Sequence, residues 1–150
     1  MPVGRRQSAV GNRQTVVRKA AALRAGTADG GIQSYRDLRV WGVAMLLAEM
    51  CYRHTRSFPA DERFGLTAQI RRAAASIPAN IAEGYGREQT GSYIQFLRVA
   101  QGSCKEVETH LLLAERVLGN DAAGPENTLR QAESVGKMLR GLIRSLEGQR

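Results

Sequence analysis

The stretch FGLTAQIRRAAASIPANIAEGYGR, running from Phe64 to Arg87, decides the fold. Leu66, Ile70, Ala73 and Ala74 follow i, i+4, i+7, i+8 spacing ahead of Pro78, and Ile77, Ile81 and Ala82 continue an apolar stripe beyond it. The pattern predicts one helix with a proline in its interior and a kink at that point. Pro78 has no N–H and its ring crowds the carbonyl of Ala74, a loss on the order of 3 kcal/mol that packing must offset. Ala73, Ala74, Ala75, Ser76 and Ala79 are small enough for a neighbouring helix to come close. Ser76 and Asn80 are placed to bond carbonyls that the kink frees. Gly84 and Gly86 supply the stop.

Downstream, Gly86 to Gly91 reads as a short polar connection. A third helix follows from about Thr90 to Leu118, with Tyr93, Leu97, Ala100, Cys104, Val107, Leu111, Ala114 and Leu118 stepping strictly by four and three. Its length of roughly 42 Å, at 1.5 Å per residue, sets the height of the molecule. Gly119 to Gly124 reads as a turn, and Pro125 suits the first position of a fourth helix. Leu129, Ala132, Gly136, Leu139, Ile143 and Leu146 form that helix's apolar face, with Gly136 and Gly141 permitting close approach.

Upstream, Ser34 begins the first helix, with Asp37 three residues on as a shortened capping box. Leu38, Trp41, Met45, Ala48, Tyr52 and Thr55 form its seam, widened by Val40, Ala44, Leu47 and Cys51. Phe58-Pro59 ends it. Ala60 to Arg63 is either a separate helical turn or the acidic first turn of the second helix. Four amphipathic helices on mostly short links predict an all-α, antiparallel, up-down-up-down four-helix bundle with a kinked second helix.

Phe64-Gly65-Leu66, Gln69 to Ala73, Ser76 to Gly84 and Phe96-Leu97-Arg98 together resemble the four-helix bundle protein family. That family is named for the open reading frame in intervening sequences of bacterial 23S rRNA. The resemblance runs from about Tyr35 to Leu146. It implies a homopentamer of bundles and kinship with the accessory variability determinant proteins of diversity-generating retroelements, which partner a reverse transcriptase and nucleic acid. It also implies that Pro78, Asn80, Glu83 and Gly84 belong to a motif that fixes the fold. The chain departs from the family pattern at Gly42-Val43, Gln101 and Lys105, which bears on any surface function of the first helix.

Composition bounds the function. The 150 residues form one domain with a genuine core. Apolar residues are 43% of the chain but aromatics only 5%, which suits small-residue helix packing. The net charge of +8 is uneven: residues 1 to 31 hold six basic groups against Asp29, a net of +5, leaving +3 on residues 32 to 150. Residues 1 to 33 read as a basic, disordered extension, with a short helix from about Asn12 to Arg24 as an option, and 34 to 150 as the bundle. The extension is a nucleic-acid-binding arm, a solvated appendage or the product of a start codon placed too far upstream. Cys51 and Cys104 lack metal or disulfide spacing and read as small buried hydrophobes in a reducing cytoplasm. No apolar run is long enough for a membrane span, and the expected location is cytoplasmic.

Glu83, Glu106, Glu108 and His110 are the candidates for a metal site in the bundle core. Di-iron bundles place Glu-x-x-His on one face, but the residues three beyond Glu106 and Glu108 are Thr109 and Leu111, and His54 lies five beyond Glu49. No phosphate loop or nucleophile elbow is present. The sequence predicts no metal, no cofactor and no enzyme. Arg71, Arg72, Arg87 and Arg98 are the candidate nucleic-acid contacts, if they share an outer surface. The competing reading is a solvated charged face, with Arg98 paired to Glu83 or Glu106. Tyr85 and Tyr93 either stack on bases or pack in the bundle. The expected function is a non-enzymatic, homo-oligomeric protein that binds RNA or DNA backbones. The alternative is an interaction scaffold that docks a reverse transcriptase or another acidic partner.

Overall fold

The computed structural model describes residues 31–119 and 124–149. Expectations for residues 1–30 and for most of the turn after Gly119 lie outside them. Four α-helices make up the described chain: α1 (Arg39–His54), α2 (Leu66–Tyr85), α3 (Thr90–Leu118) and α4 (Glu126–Glu147), with no strand among the described residues. α2 packs on α1 and α3, and α4 packs on α3 and α1, so the four close a ring around one core. Three side-chain relationships fix the alternating directions. Arg71 near the start of α2 bonds Thr55 just past the end of α1. Arg98 early in α3 pairs with Glu147 at the end of α4. His54, Leu118 and Pro125 line a single cavity of about 90 Å³ at one end.

α3 follows its sequence pattern: Tyr93, Leu97, Ala100, Cys104, Val107, Leu111 and Ala114 are all buried, and Leu118 packs against the core. α1 does not. Its buried stripe is Val40, Ala44, Leu47 and Cys51, while Met45 and Tyr52, expected in the seam, are exposed. The reason is that α1 is apolar nearly all round between Val40 and Ala48, so periodicity leaves the phase open and the neighbouring helices choose it. The entry to α1 differs as well. Ser34 and Asp37 form the capping box, with the Ser34 N–H donating to Asp37 Oδ2 at 3.0 Å, but they cap one turn of 3-10 helix, Tyr35–Asp37. Leu38 then turns extended with ψ 121°, and the α-helix starts at Arg39. Core contacts begin earlier still, with Ile32 only 4% exposed.

The Ala60–Glu62 segment is a separate 3-10 turn, which settles the two options for it. Glu62 nevertheless serves α2: its Oε2 accepts from the Leu66 N–H at 2.9 Å, placing a carboxylate at the positive end of the helix. α4 starts one residue later than expected, with Pro125 as the cap and its carbonyl accepting from the Leu129 N–H at 2.8 Å.

Two glycine expectations also change. Gly84 lies inside α2, buried against α3, and does not terminate the helix. A Cβ there would stand 2.7 Å from Phe96 Cβ and 2.9 Å from Tyr93 Cδ2, so the missing side chain lets the two helices touch. Gly136 is buried, yet a Cβ on it would meet nothing within 4 Å, so it is not a point of close approach.

Candidate nucleic-acid interface

α2 runs unbroken through Pro78, which is itself buried. Ser76 and Asn80 on either side do bond backbone carbonyls, but neither bonds that of Ala74, the one Pro78 leaves without its N–H donor. Asn80 Nδ2 donates to the Ser76 carbonyl at 2.7 Å, and Ser76 Oγ donates to the Ala73 carbonyl at 2.9 Å. Ser76 Oγ also lies 2.6 Å from Ser103 Oγ on α3. With the single Ser76 proton on Ala73, the Ser103 hydroxyl is the donor in that contact. Ser76 and Gly84 therefore lie on the face of α2 that meets α3, whereas Pro78, two residues and about 200° on from Ser76, is buried on the side that Arg71 turns towards α1. Glu83 stands outside it, exposed and paired with Arg87 at 3.3 Å.

The four candidate arginines occupy different environments. Arg71 is half-buried and committed to α1: its Nε donates to Thr55 Oγ1 at 2.9 Å and its Nη2 to the Tyr52 carbonyl at 3.4 Å. Thr55 Oγ1 in turn donates to the Cys51 carbonyl at 2.9 Å, so Arg71 completes a chain that closes the C-terminal end of α1. Its guanidinium carbon also lies 4.7 Å from the Tyr52 ring centroid. Arg72 next to it is exposed, with no acidic partner among the described residues. Arg87 pairs with Glu83 and stacks over Phe96 at 4.7 Å, and Arg98 is paired with Glu147, a residue the sequence did not point to. Sixteen positions separate Arg71 from Arg87, or about 24 Å along α2 at 1.5 Å per residue. Within one subunit, the Arg71-Arg72 pair and Arg87 thus mark opposite ends of the helix.

Tyr85 and Tyr93 meet edge to face at 6.3 Å. Tyr93 is 1% exposed and offers no face to a base, and burial, reinforced by Tyr85, raises its phenol well above its ordinary value. Burial likewise pushes the Cys51 and Cys104 thiols up to about 12, with Cys104 adding to the effect on Cys51 and Glu108 to that on Cys104. Among the described residues, no group of three or more His, Cys, Asp or Glu side chains is placed to hold a metal ion. No described helix is long and apolar enough to cross a membrane.

One feature at the Arg71 end escaped the sequence reading. Phe64, counted there with the helical stretch, projects from the turn ahead of α2 and is 87% exposed, with Arg63 stacked over its ring at 5.4 Å. The signal was its phase: Phe64 precedes Leu66 by two and Ile70 by six, spacings that no helical stripe uses.

No curated protein matches the chain. The residues that carry the α2–α3 contact, from Ser76 to Gly84 and on through Phe96 and Ser103, fall inside a single family match, and the chain belongs to the 23S rRNA-intervening sequence protein family, whose model matches residues 36–141.

Proposed function

We propose that this chain is a non-enzymatic, homo-oligomeric protein that associates with nucleic acid by contacting RNA or DNA backbones through surface arginines. The observation that carries the reading is the supply of uncommitted cations. Arg39, Arg56, Arg72 and Arg130 are exposed, and none forms an ion pair with a carboxylate among the described residues. Arg87 and Arg98 hold exposed pairs, worth about 0–1 kcal/mol each, so exchanging a carboxylate for a phosphate costs little. Membership of a family named for a ribosomal RNA intervening sequence agrees with this role.

Self-association supplies the rest of the surface. Met45 and Leu46 on α1, and Val99, Leu113 and Val117 on α3, are exposed apolar residues on helices that lie diagonally across the ring. A two-fold contact would cover only one of these faces, whereas the α1 face of one copy meeting the α3 face of the next covers both, and such head-to-tail contacts form a ring where the rotation between copies closes. Five copies, the number implied by the resemblance, would bring the +3 of residues 32–150 to about +15 and repeat each arginine around a belt. In the same proposal, α2 bends at Pro78.

The test is RNA affinity as a function of salt for the wild type and for the combined variant Arg72→Ala, Arg87→Ala, Arg98→Ala. Each lost phosphate contact should reduce the slope of log K against log[salt] by about 0.7–0.9. An unchanged slope and affinity would remove these residues from the interface. The exposed apolar faces also favour a second reading, a scaffold that docks a reverse transcriptase or another acidic protein. A monomeric chain that co-purifies with such a partner and ignores RNA would establish that reading instead.

A further inference from the structure

We infer that the α1–α2 end of the bundle is a contact site for single-stranded nucleic acid, in which Phe64 and Tyr52 stack on bases while Arg56, Arg63 and Arg72 hold the adjoining phosphates. This deepens the nucleic-acid reading above and rests on it. Phe64 is the most exposed large apolar side chain among the described residues, at 87%. It is not an isolated apolar residue, because Arg63 lies over one face of its ring at 5.4 Å and leaves the other face to solvent. Tyr52 repeats the arrangement, being exposed, with the Arg71 guanidinium 4.7 Å from its centroid. Since Arg71 is anchored by Thr55 and the Tyr52 carbonyl, the Tyr52 ring is held in place before any ligand arrives.

Around these two rings, arginines without an acidic partner outnumber uncommitted carboxylates among the described residues. Arg56, Arg63 and Arg72 are exposed and have no acidic partner among the described residues. Of the described acidic groups nearest in sequence, Glu62 caps Leu66 and Glu49 pairs with Arg53, which leaves exposed Asp61 as the one uncommitted carboxylate against three arginines. Arg72 stands six residues into α2 from Leu66, about 9 Å along the axis, and follows Arg71, whose guanidinium lies on Tyr52 of α1, so Phe64 just ahead of α2 and Tyr52 beside its second turn belong to the same end of the bundle. Aromatic faces interleaved with arginines suit an unpaired strand, whose bases are open to stacking and whose phosphates follow at short intervals. A duplex hides its base faces and would use only the arginines. That difference gives the site a preference for single strands, which a backbone-only surface does not have.

The experiment measures binding of the full chain to a fluorescein-labelled single-stranded RNA, to the matching DNA strand, and to the RNA annealed to its complement. Each is titrated across salt concentrations, with the mass of every variant measured by light scattering. Phe64→Ala should weaken single-strand binding about tenfold, as expected for the loss of one stacked base, and leave duplex binding and the salt slope unchanged. Phe64→Trp should restore single-strand affinity. The combined variant Arg56→Ala, Arg63→Ala, Arg72→Ala should flatten the slope by about two, from three contacts of roughly 0.7 each. The RNA and DNA strands separate a sugar preference from shared base stacking. Wild-type affinity in Phe64→Ala overturns the inference while leaving the broader nucleic-acid reading intact. A lowered mass in Phe64→Ala overturns it by placing the ring in a subunit contact. A wild type that binds none of the three ligands removes both.

Discussion

Arg71 Nε donates to Thr55 Oγ1 at 2.9 Å across 16 positions of sequence, making a residue that reads as a phosphate contact into a clamp between α1 and α2. The neighbouring Arg72 has no such tie. Arg71→Ala should therefore destabilise the fold by about 1–2 kcal/mol, since it removes the donor to the buried Thr55 hydroxyl, while the Tyr52 carbonyl keeps its bond from Thr55 Oγ1. Arg72→Ala should stay within about 0.5 kcal/mol of the wild type. Urea denaturation of the two variants checks the contrast, and equal midpoints would show that the clamp contributes nothing.

Gly84 and Gly136 are both buried glycines of helices, yet the same substitution should have opposite effects. Gly84→Ala drives a methyl group to 2.7 Å from Phe96 Cβ, so α2 and α3 must separate, at about 1–3 kcal/mol. Gly136→Ala meets nothing within 4 Å and replaces the poorest non-proline helix former with the best, a gain of up to about 1 kcal/mol. Thermal melts of both variants decide it; a destabilised Gly136→Ala would mean that the space beside it is filled in solution.

These contrasts mark what the sequence could and could not show. The α3 stripe was legible because its polar residues interrupt the apolar ones on a strict period. The α1 stripe was not, since Met45 and Leu47 are equally apolar and only the positions of α2 and α4 decide which is buried. That Ser76 and Asn80 bond backbone carbonyls could be read because both act within a turn of themselves, but the carbonyls they reach are those of Ala73 and Ser76, not the Ala74 carbonyl expected to need them. The commitments of the arginines could not, because Thr55 and Glu147 are brought to Arg71 and Arg98 by the fold. Two Gly positions looked alike in sequence because a close contact belongs to the neighbouring helix, in this case to Phe96.

His54 lies at the cavity between the ends of α1 and α3 and the start of α4, with Phe58 edge-on to its ring at 5.5 Å. Burial lowers its pKa from the ordinary value of 6.5, and Glu126 offsets part of that effect. With the folded value below the unfolded one, the unfolded chain binds the extra proton first. The stability contribution is therefore full above the ordinary value and is lost as pH falls through it towards the folded pKa. The urea midpoint should drop between pH 7.5 and pH 5.5, and His54→Gln should show a smaller drop. Identical pH dependence in the two proteins would clear His54 of any part in it.

The diagonal apolar faces predict how assembly fails. Val99→Lys combined with Leu113→Lys places two charges on the exposed face of α3 without touching the core. The variant should keep its helical circular dichroism and lose its oligomeric mass. A mass equal to that of the wild type would move the subunit contact elsewhere.

The central claim is that the assembled bundle, not the basic segment ahead of it, binds nucleic acid. The most direct measurement is RNA affinity against salt, with mass by light scattering on the same samples, for the full chain and for a chain that begins at Gly31 and so retains Ile32. The account predicts a mass several times the 16.4 kDa of one full-length chain, and a steep negative slope of log K on log[salt] that survives removal of the first thirty residues. Binding that disappears with those residues, or a monomer with no affinity for RNA, would contradict it.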